Sequence, residues 1–461
     1  MPEPPGAARP SSAWRSVALA AAGAVLAVTC SGARLVPGRA PSAAAASEAS
    51  APSRAPAVPS AAPPGASAAS SDAVGAGASA AASVAPPASA AAAIVPPPAR
   101  SGPLARFQRR LDELRSGAAR RPLRVAWLGD SHTAADFLTD AVRVALWREH
   151  PAGGPGFLPP GIDGVRHARA SIAVRGKVEV EPRERTSSER QLDGAFGLLG
   201  LRGVPASDDA RVTLTPTSGA GALAWELSYR APAGRFRVRY AGHERDVDGS
   251  SGSADAQDRT LRRLRFEAPA GVGVELGGFR GRVELLGVVV EARDPGVVLD
   301  TLGINGARAT TALAWDEAHW TAELERRAPA LVVLAYGTND VASNLALDRY
   351  PGQYARLLAR ARKAAPGADC LLVGPTDLGR TDGTAHPRTE PLDRTLRGVA
   401  EAEGCAWFSL YDAMGGATGM SDWLGHDPPL AARDRVHLTA RGYERLGAAL
   451  GALLLGAPRP E

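Results

Sequence analysis

Cysteine is scarce. Cys30, Cys370 and Cys405 are the only three in 461 residues, too few for a disulfide scaffold, and none has the spacing of a metal-binding pair. Cys370 and Cys405 each open an expected strand, but a disulfide straight across adjacent parallel strands is geometrically awkward, so two buried thiols are expected. Lysine is almost absent, at two residues against 51 arginines, and aromatics make up only 5%. A dominant charge is missing as well: six arginines against three acids fall in the first hundred residues, leaving 47 basic against 45 acidic beyond them. No nucleic-acid footprint is visible in so even a balance. The uncharged run at residues 17–30 is about 14 residues long, short of the roughly 20 that a membrane span needs.

What is present divides the chain. Arg15 precedes that apolar run, the layout of a secretory signal, so export to the periplasm or cell envelope is expected. Ala27, Val28 and Thr29 make a poor lipobox before Cys30, leaving cleavage, lipidation and an uncleaved anchor open. Residues 1–34 are read as the signal peptide or anchor, and residues 35–100, rich in Ala, Pro and Ser, as a disordered linker whose small side chains cannot offset ordering entropy. Any membrane association would come through this N-terminal segment alone.

Beyond residue 100 two textures alternate. Residues 123–128 read as a buried strand, followed by a turn at Gly129-Asp130-Ser131-His132 and one helix carrying Phe137, Leu138, Ala141, Val142, Ala145 and Leu146 on a face. Apolar runs at 330–335, 370–373 and 405–410, separated by helical stretches such as 354–364, predict a parallel sheet covered by helices; Thr439 caps a last helix to about Leu455. Between them, residues 155–295 alternate apolar with charged side chains, as in Arg235-Phe236-Arg237-Val238-Arg239-Tyr240. That period of two predicts an antiparallel β domain inserted into the α/β domain, which then spans 101–154 and 296–461. Exposed Trp225, Tyr229, Phe236 or Tyr240 could bind glycan, but the alternation favours a core role.

Four short blocks carry chemistry. Ser131 lies where a strand ends and a helix begins, so amides and helix dipole could favour an oxyanion; a capping serine is the plainer alternative. In Asp434-Arg435-Val436-His437 a carboxylate three residues ahead of an imidazole can orient one ring nitrogen and leave the other to take a hydroxyl proton, though a surface Asp would look the same. Asn339, in Gly337-Thr338-Asn339-Asp340 after a strand, can donate to an oxyanion or simply make an Asx turn. Gly306, in Ile304-Asn305-Gly306-Ala307, permits close backbone approach or is a plain loop glycine.

In this order the four blocks resemble the signature of the SGNH (GDSL-like) serine hydrolase family. The resemblance implies a three-layer α/β/α, flavodoxin-like sandwich, with Ser131 as nucleophile, Asp434 as orienting acid and His437 as base. The oxyanion donors would be the amides of Ser131 and Gly306 and the side chain of Asn339, with Gly303 serving instead of Gly306 under a shifted alignment. Neither cofactor nor metal is implied. The run from Gly129 to Phe137 and the long interval before Gly306 are similar to the peptidoglycan O-acetylesterase branch, which carries an inserted carbohydrate-binding-like β-sandwich. The expected activity is therefore hydrolysis of O-acyl esters on a polysaccharide such as peptidoglycan, the alternatives being acetyl transfer to a sugar hydroxyl or non-catalytic glycan binding. His132 is expected to pack in the first turn or line the crevice, Asp136 to complement the helix dipole, and Trp423, His426 and Asp427 to lie in a loop at the rim.

Overall fold

In the computed structural model, residues 101–162, 165–249, 260–343 and 345–457 are described; the expected signal, Cys30 and the linker lie outside them. Apolar strands at Val297–Gly303, Leu123–Gly129, Leu331–Ala335, Asp369–Val373 and Ala406–Phe408 lie side by side in that spatial order. Every pairing is parallel. Because successive side chains point to opposite faces, Val125, Trp127, Val333 and Leu371 pack with helices Ala105–Arg115, Leu138–Glu149 and Ala440–Leu455. Ala126, Leu128, Val332 and Leu372 face Glu317–Arg327, Tyr350–Ala364 and Thr389–Ala402. This is the three-layer α/β/α architecture, and its order turns at Leu123–Gly129, where ligand crevices of open α/β sheets form.

The edge strand Val297–Gly303 was not expected from sequence. It is buried at all seven positions, Asp300 and Thr301 included. The single helix expected after Ser131 is in fact two, Ser131–Ala134 and Leu138–Glu149, parted where Asp136 adopts a left-handed φ of 49°. The last sheet strand stops at Phe408, because the Ser409 hydroxyl accepts the Asp412 amide and starts the helix Leu410–Met414. Cys370 and Cys405 form a disulfide, contrary to the expected free thiols. Cys405 immediately precedes its strand, one step before the Leu371–Ala406 pair, so it lies directly across from Cys370 with the Cα atoms 4.8 Å apart.

Two antiparallel sheets fill the interval between the α/β segments. One runs Arg262–Pro269, Ala222–Arg230, Glu284–Ala292, Arg202–Pro205, Val178–Glu181, and the other Ala170–Arg175, Arg211–Pro216, Val274–Arg280, Arg235–Tyr240, His243–Asp248. Leu223, Leu227, Val288 and Val290 of the first share a core with Val212, Leu214, Val238 and Leu276 of the second, a sandwich. Trp225, Tyr229 and Phe236 are buried in or beside that core and Tyr240 is half-buried against it, so none is an exposed glycan platform. The two chain crossings into this insert are adjacent: Gly153 donates to Val297 O and Val297 to Pro151 O, each at 2.9 Å.

The junction between the insert and the α/β domain is ionic. Arg327, at the end of its helix, makes a bidentate bond to Asp300 at 2.8 and 2.9 Å and reaches Glu291 of the insert at 2.8 Å. Arg124 forks onto the same Glu291 at 2.7 and 2.8 Å, and Asp300 accepts the amide of Phe157. Two guanidinium and two carboxylate groups thus close a neutral, mostly buried cluster. Among the described residues no helix is long and apolar enough to cross a membrane.

Candidate active site

Ser131, the turn after Gly303 and the turn after Ala335 all follow the C-terminal ends of neighbouring parallel strands. Asp130 prepares the first of these turns: its carboxylate is buried and accepts the amides of His132, at 3.1 Å, and of Thr338. It thereby staples the Ser131 turn to the Asn339 turn. Burial, with Asp340 nearby, pushes the Asp130 carboxyl up to about 7, and burial raises Asp340 to about 7 also. The helix that Ser131 opens is one turn long, so the dipole anticipated there is a minor contributor.

His437 approaches from the other end of the chain. Its Nε2 lies 2.8 Å from Ser131 Oγ and its Nδ1 2.7 Å from Asp434 Oδ2. With Nδ1–H donated to the carboxylate, Nε2 is the acceptor of the serine proton. Asp434 also accepts the amides of Val436 and His437 through Oδ1, at 3.0 and 2.9 Å. Burial pushes its carboxyl up, but the His437 ring and these amides outweigh it, and the group stays below the usual carboxylate range. The loop is fixed by Ala432 N donating to His437 O and by Arg435 at a left-handed φ of 59°.

Asn339 is half-buried; its Nδ2 donates one hydrogen to Ala307 O at 3.1 Å, leaving the second N–H free. Gly306, just before Ala307, is exposed and has φ +79°, where a side chain would be strained. Gly303 is required for packing instead, since a Cβ there would meet Ala134 N at 2.2 Å and push the edge strand off the Ser131 helix. Of the two glycines, Gly306 is the exposed one. Thr186, from the insert, borders this turn; its carbonyl accepts the Thr311 hydroxyl and its methyl lies 3.2 Å from where a Gly306 Cβ would stand.

Of the remaining candidates, Asp136 and Trp423 are placed differently from expectation. Asp136 is not at a solvated helix end but fully buried, accepting from Thr139, Thr301 and the Ala168 amide and pairing with Arg143. Burial opposes its ionisation, yet Arg143 prevails and holds it down at about 2. His132 is buried in the first turn after Ser131, the first of the two places expected for it. Trp423 is buried in the helix Gly419–Gly425, with His426 and Asp427 exposed after it. Thr376, Tyr443 and Arg308, whose Nε donates to Asn339 O at 3.2 Å, were missed in the sequence. No group of three His, Cys, Asp or Glu side chains among the described residues could hold a metal ion.

The arrangement can deprotonate a serine hydroxyl and offer it to an electrophile beside amide donors. A wide cleft of about 700 Å³ around Arg106, Arg109 and Asp369 opens at the other ends of the strands and has no part in this chemistry.

Comparison with known proteins agrees with this layout. Residues 268–445 match the GDSL-like Lipase/Acylhydrolase family, a span that includes Gly306, Asn339, Asp434 and His437 and leaves Ser131 upstream of the insert. A solved structure of a peptidoglycan O-acetylesterase in action is similar at 24% identity and TM-score 0.64, covering 77% of this chain and 97% of its own. A family two carbohydrate esterase from Cellvibrio japonicus is far less similar, at 11% identity and TM-score 0.27 over 62% of this chain and 99% of its own. No curated protein matches by comparison. Residues 268–445 are therefore similar to the GDSL-like Lipase/Acylhydrolase family, and the chain shares its fold with that O-acetylesterase structure.

Proposed function

We propose that this protein is an exported serine esterase that removes O-acyl groups, acetyl foremost, from a cell-envelope polysaccharide such as peptidoglycan. The observation that carries this reading is the continuous line from Ser131 Oγ through the His437 ring to Asp434. His437 Nε2 takes the serine proton as Ser131 attacks the ester carbonyl, and Asp434 holds the imidazolium in place. The oxyanion is met by the amides of Ser131 and Gly306 and by the free N–H of Asn339. Protonated His437 returns its proton to the leaving sugar oxygen, and a water activated by the same imidazole releases the acyl group. Each step is served by the chain's own residues.

A polymeric substrate is supported by the openness of the site. The Asp434 and His437 side chains are 51% and 39% exposed, so a bulky glycan can reach the serine without entering a closed cavity. The peptidoglycan assignment draws on the solved O-acetylesterase that shares the fold. Export is supported by the Cys370–Cys405 disulfide, which suits an oxidising compartment, together with the apolar run after Arg15.

Acetate release from O-acetylated peptidoglycan by the full chain, beside Ser131→Ala and a p-nitrophenyl acetate control, tests the reading. Release by the parent and its loss in Ser131→Ala is the expected result. Activity on the small ester alone would leave an esterase without this substrate, and an active Ser131→Ala would remove the nucleophile.

A further inference from the structure

Ser131 and His437 are 306 residues apart in the chain, so their backbones must be held in register before a proton can move between the side chains. His132, next to the nucleophile, is buried and has both ring nitrogens engaged. Nδ1 lies 2.9 Å from the Tyr443 hydroxyl and Nε2 3.1 Å from Thr376 Oγ1. The Tyr443 oxygen accepts the backbone amide of Leu438, so its own proton is directed to Nδ1, and Nε2–H donates to Thr376. Burial and the neighbouring His437 push His132 down to about 3, which keeps the imidazole neutral and unsuited to act as a base. Its ring lies tilted at 5.2 Å from that of His437, and Tyr443 is itself stacked on Phe137 at 5.9 Å. A continuous path therefore runs from the residue after Ser131, through Tyr443, to the residue after His437.

We infer that His132 is a positioning residue: through Tyr443 it fixes the Leu438 peptide, and with it the His437 ring, at hydrogen-bond distance from Ser131. This rests on the Ser131–His437 reading proposed above. A neutral histidine suits the role because it accepts on one side and donates on the other at fixed geometry, and displacement of a catalytic group by about 1 Å costs on the order of 10²-fold.

Two near-isosteric variants separate this role from simple space filling. His132→Asn places a carboxamide oxygen where Nδ1 stood and keeps the Tyr443 bond. His132→Gln places an amide nitrogen where Nε2 stood, keeping Thr376 and dropping Tyr443. With p-nitrophenyl acetate, His132→Asn is expected to retain kcat within about fivefold, while His132→Gln and Tyr443→Phe each lose about 10- to 100-fold in kcat at unchanged KM. The double variant His132→Gln/Tyr443→Phe should lose no more than the worse single one. Equal losses in the two His132 variants, a better His132→Gln, or additive losses in the double would overturn the role. If neither His132 variant folds, Tyr443→Phe, which removes one oxygen, carries the same expectation, and full kcat in it would overturn the role alone. An active Ser131→Ala would instead remove the reading beneath it.

Discussion

In the edge strand Val297–Gly303 of the parallel sheet all seven residues are buried, whereas Arg211–Pro216 of the insert alternates half-exposed and buried side chains along its length. The first strand is enclosed on both faces and must satisfy Asp300 and Thr301 internally, through Arg327, Phe157 N, Arg143 and Asp136. The second turns its polar side chains outward and needs no such partners. Ion pairs follow the same division. At the junction they are buried and shared between the two parts; on the insert's outer hairpin, Arg237 and Arg239 pair with Glu244 and Asp246 in the open. Buried pairs create obligations, because each partner left alone is an unpaired charge out of water. Exposed pairs create few.

The sharpest way to break the comparison is at Arg327. Arg327→Leu leaves Asp300 and Glu291 without their shared guanidinium and is expected to destabilise the protein by about 3–5 kcal/mol in denaturant unfolding. A cost as small as that of a surface pair would show that the junction relaxes like an exterior.

Asp130 offers the opposite sign. Its folded pKa of about 7 lies above the ordinary value of 3.8, so its contribution to stability is full below about pH 4 and is lost as pH rises through 7. Asp130→Asn, which removes the charge, should therefore gain up to about 4 kcal/mol on the parent between pH 5 and pH 8. A pH-independent difference in melting would refute the assignment. Next in size, Asn339→Ala should lower turnover about 10²- to 10³-fold with little change in melting temperature. At the bottom of the scale, Arg237→Gln on the exposed hairpin should shift stability by less than about 1 kcal/mol, and raised salt should erase even that.

The same division decides what could be read from the sequence. Strands 123–129, 331–335 and 369–373 are apolar runs broken only by Arg124 and headed in the last case by Asp369, and the last helix has a threonine cap, so their positions were legible to within a residue or two. The insert was legible from its alternation. Val297–Gly303 was not, because Asp300 and Thr301 interrupt its apolar run and the arginines that neutralise it lie elsewhere in the chain. Asp136 was misread for the same reason: its partners Thr301 and Ala168 are distant in sequence. Ser131, Asn339, Asp434 and His437 were legible as short local motifs, which carry their chemistry in their own spacing. His132, Thr376 and Tyr443 carried no such signal, since the path they form exists only once the two ends of the domain have met.

The adjacency of the two crossings into the insert has a further consequence. With Gly153 bonded to Val297 and Ala292 to Gly153, the insert returns the chain to the point from which it left. For the parallel sheet the whole excursion is equivalent to a tight turn. A flexible loop of that length would cost about 4–5 kcal/mol to close; here that loss of chain freedom is absorbed in the insert's own folding, so Leu123–Gly129 and Val297–Gly303 can pair as though they were neighbours in sequence.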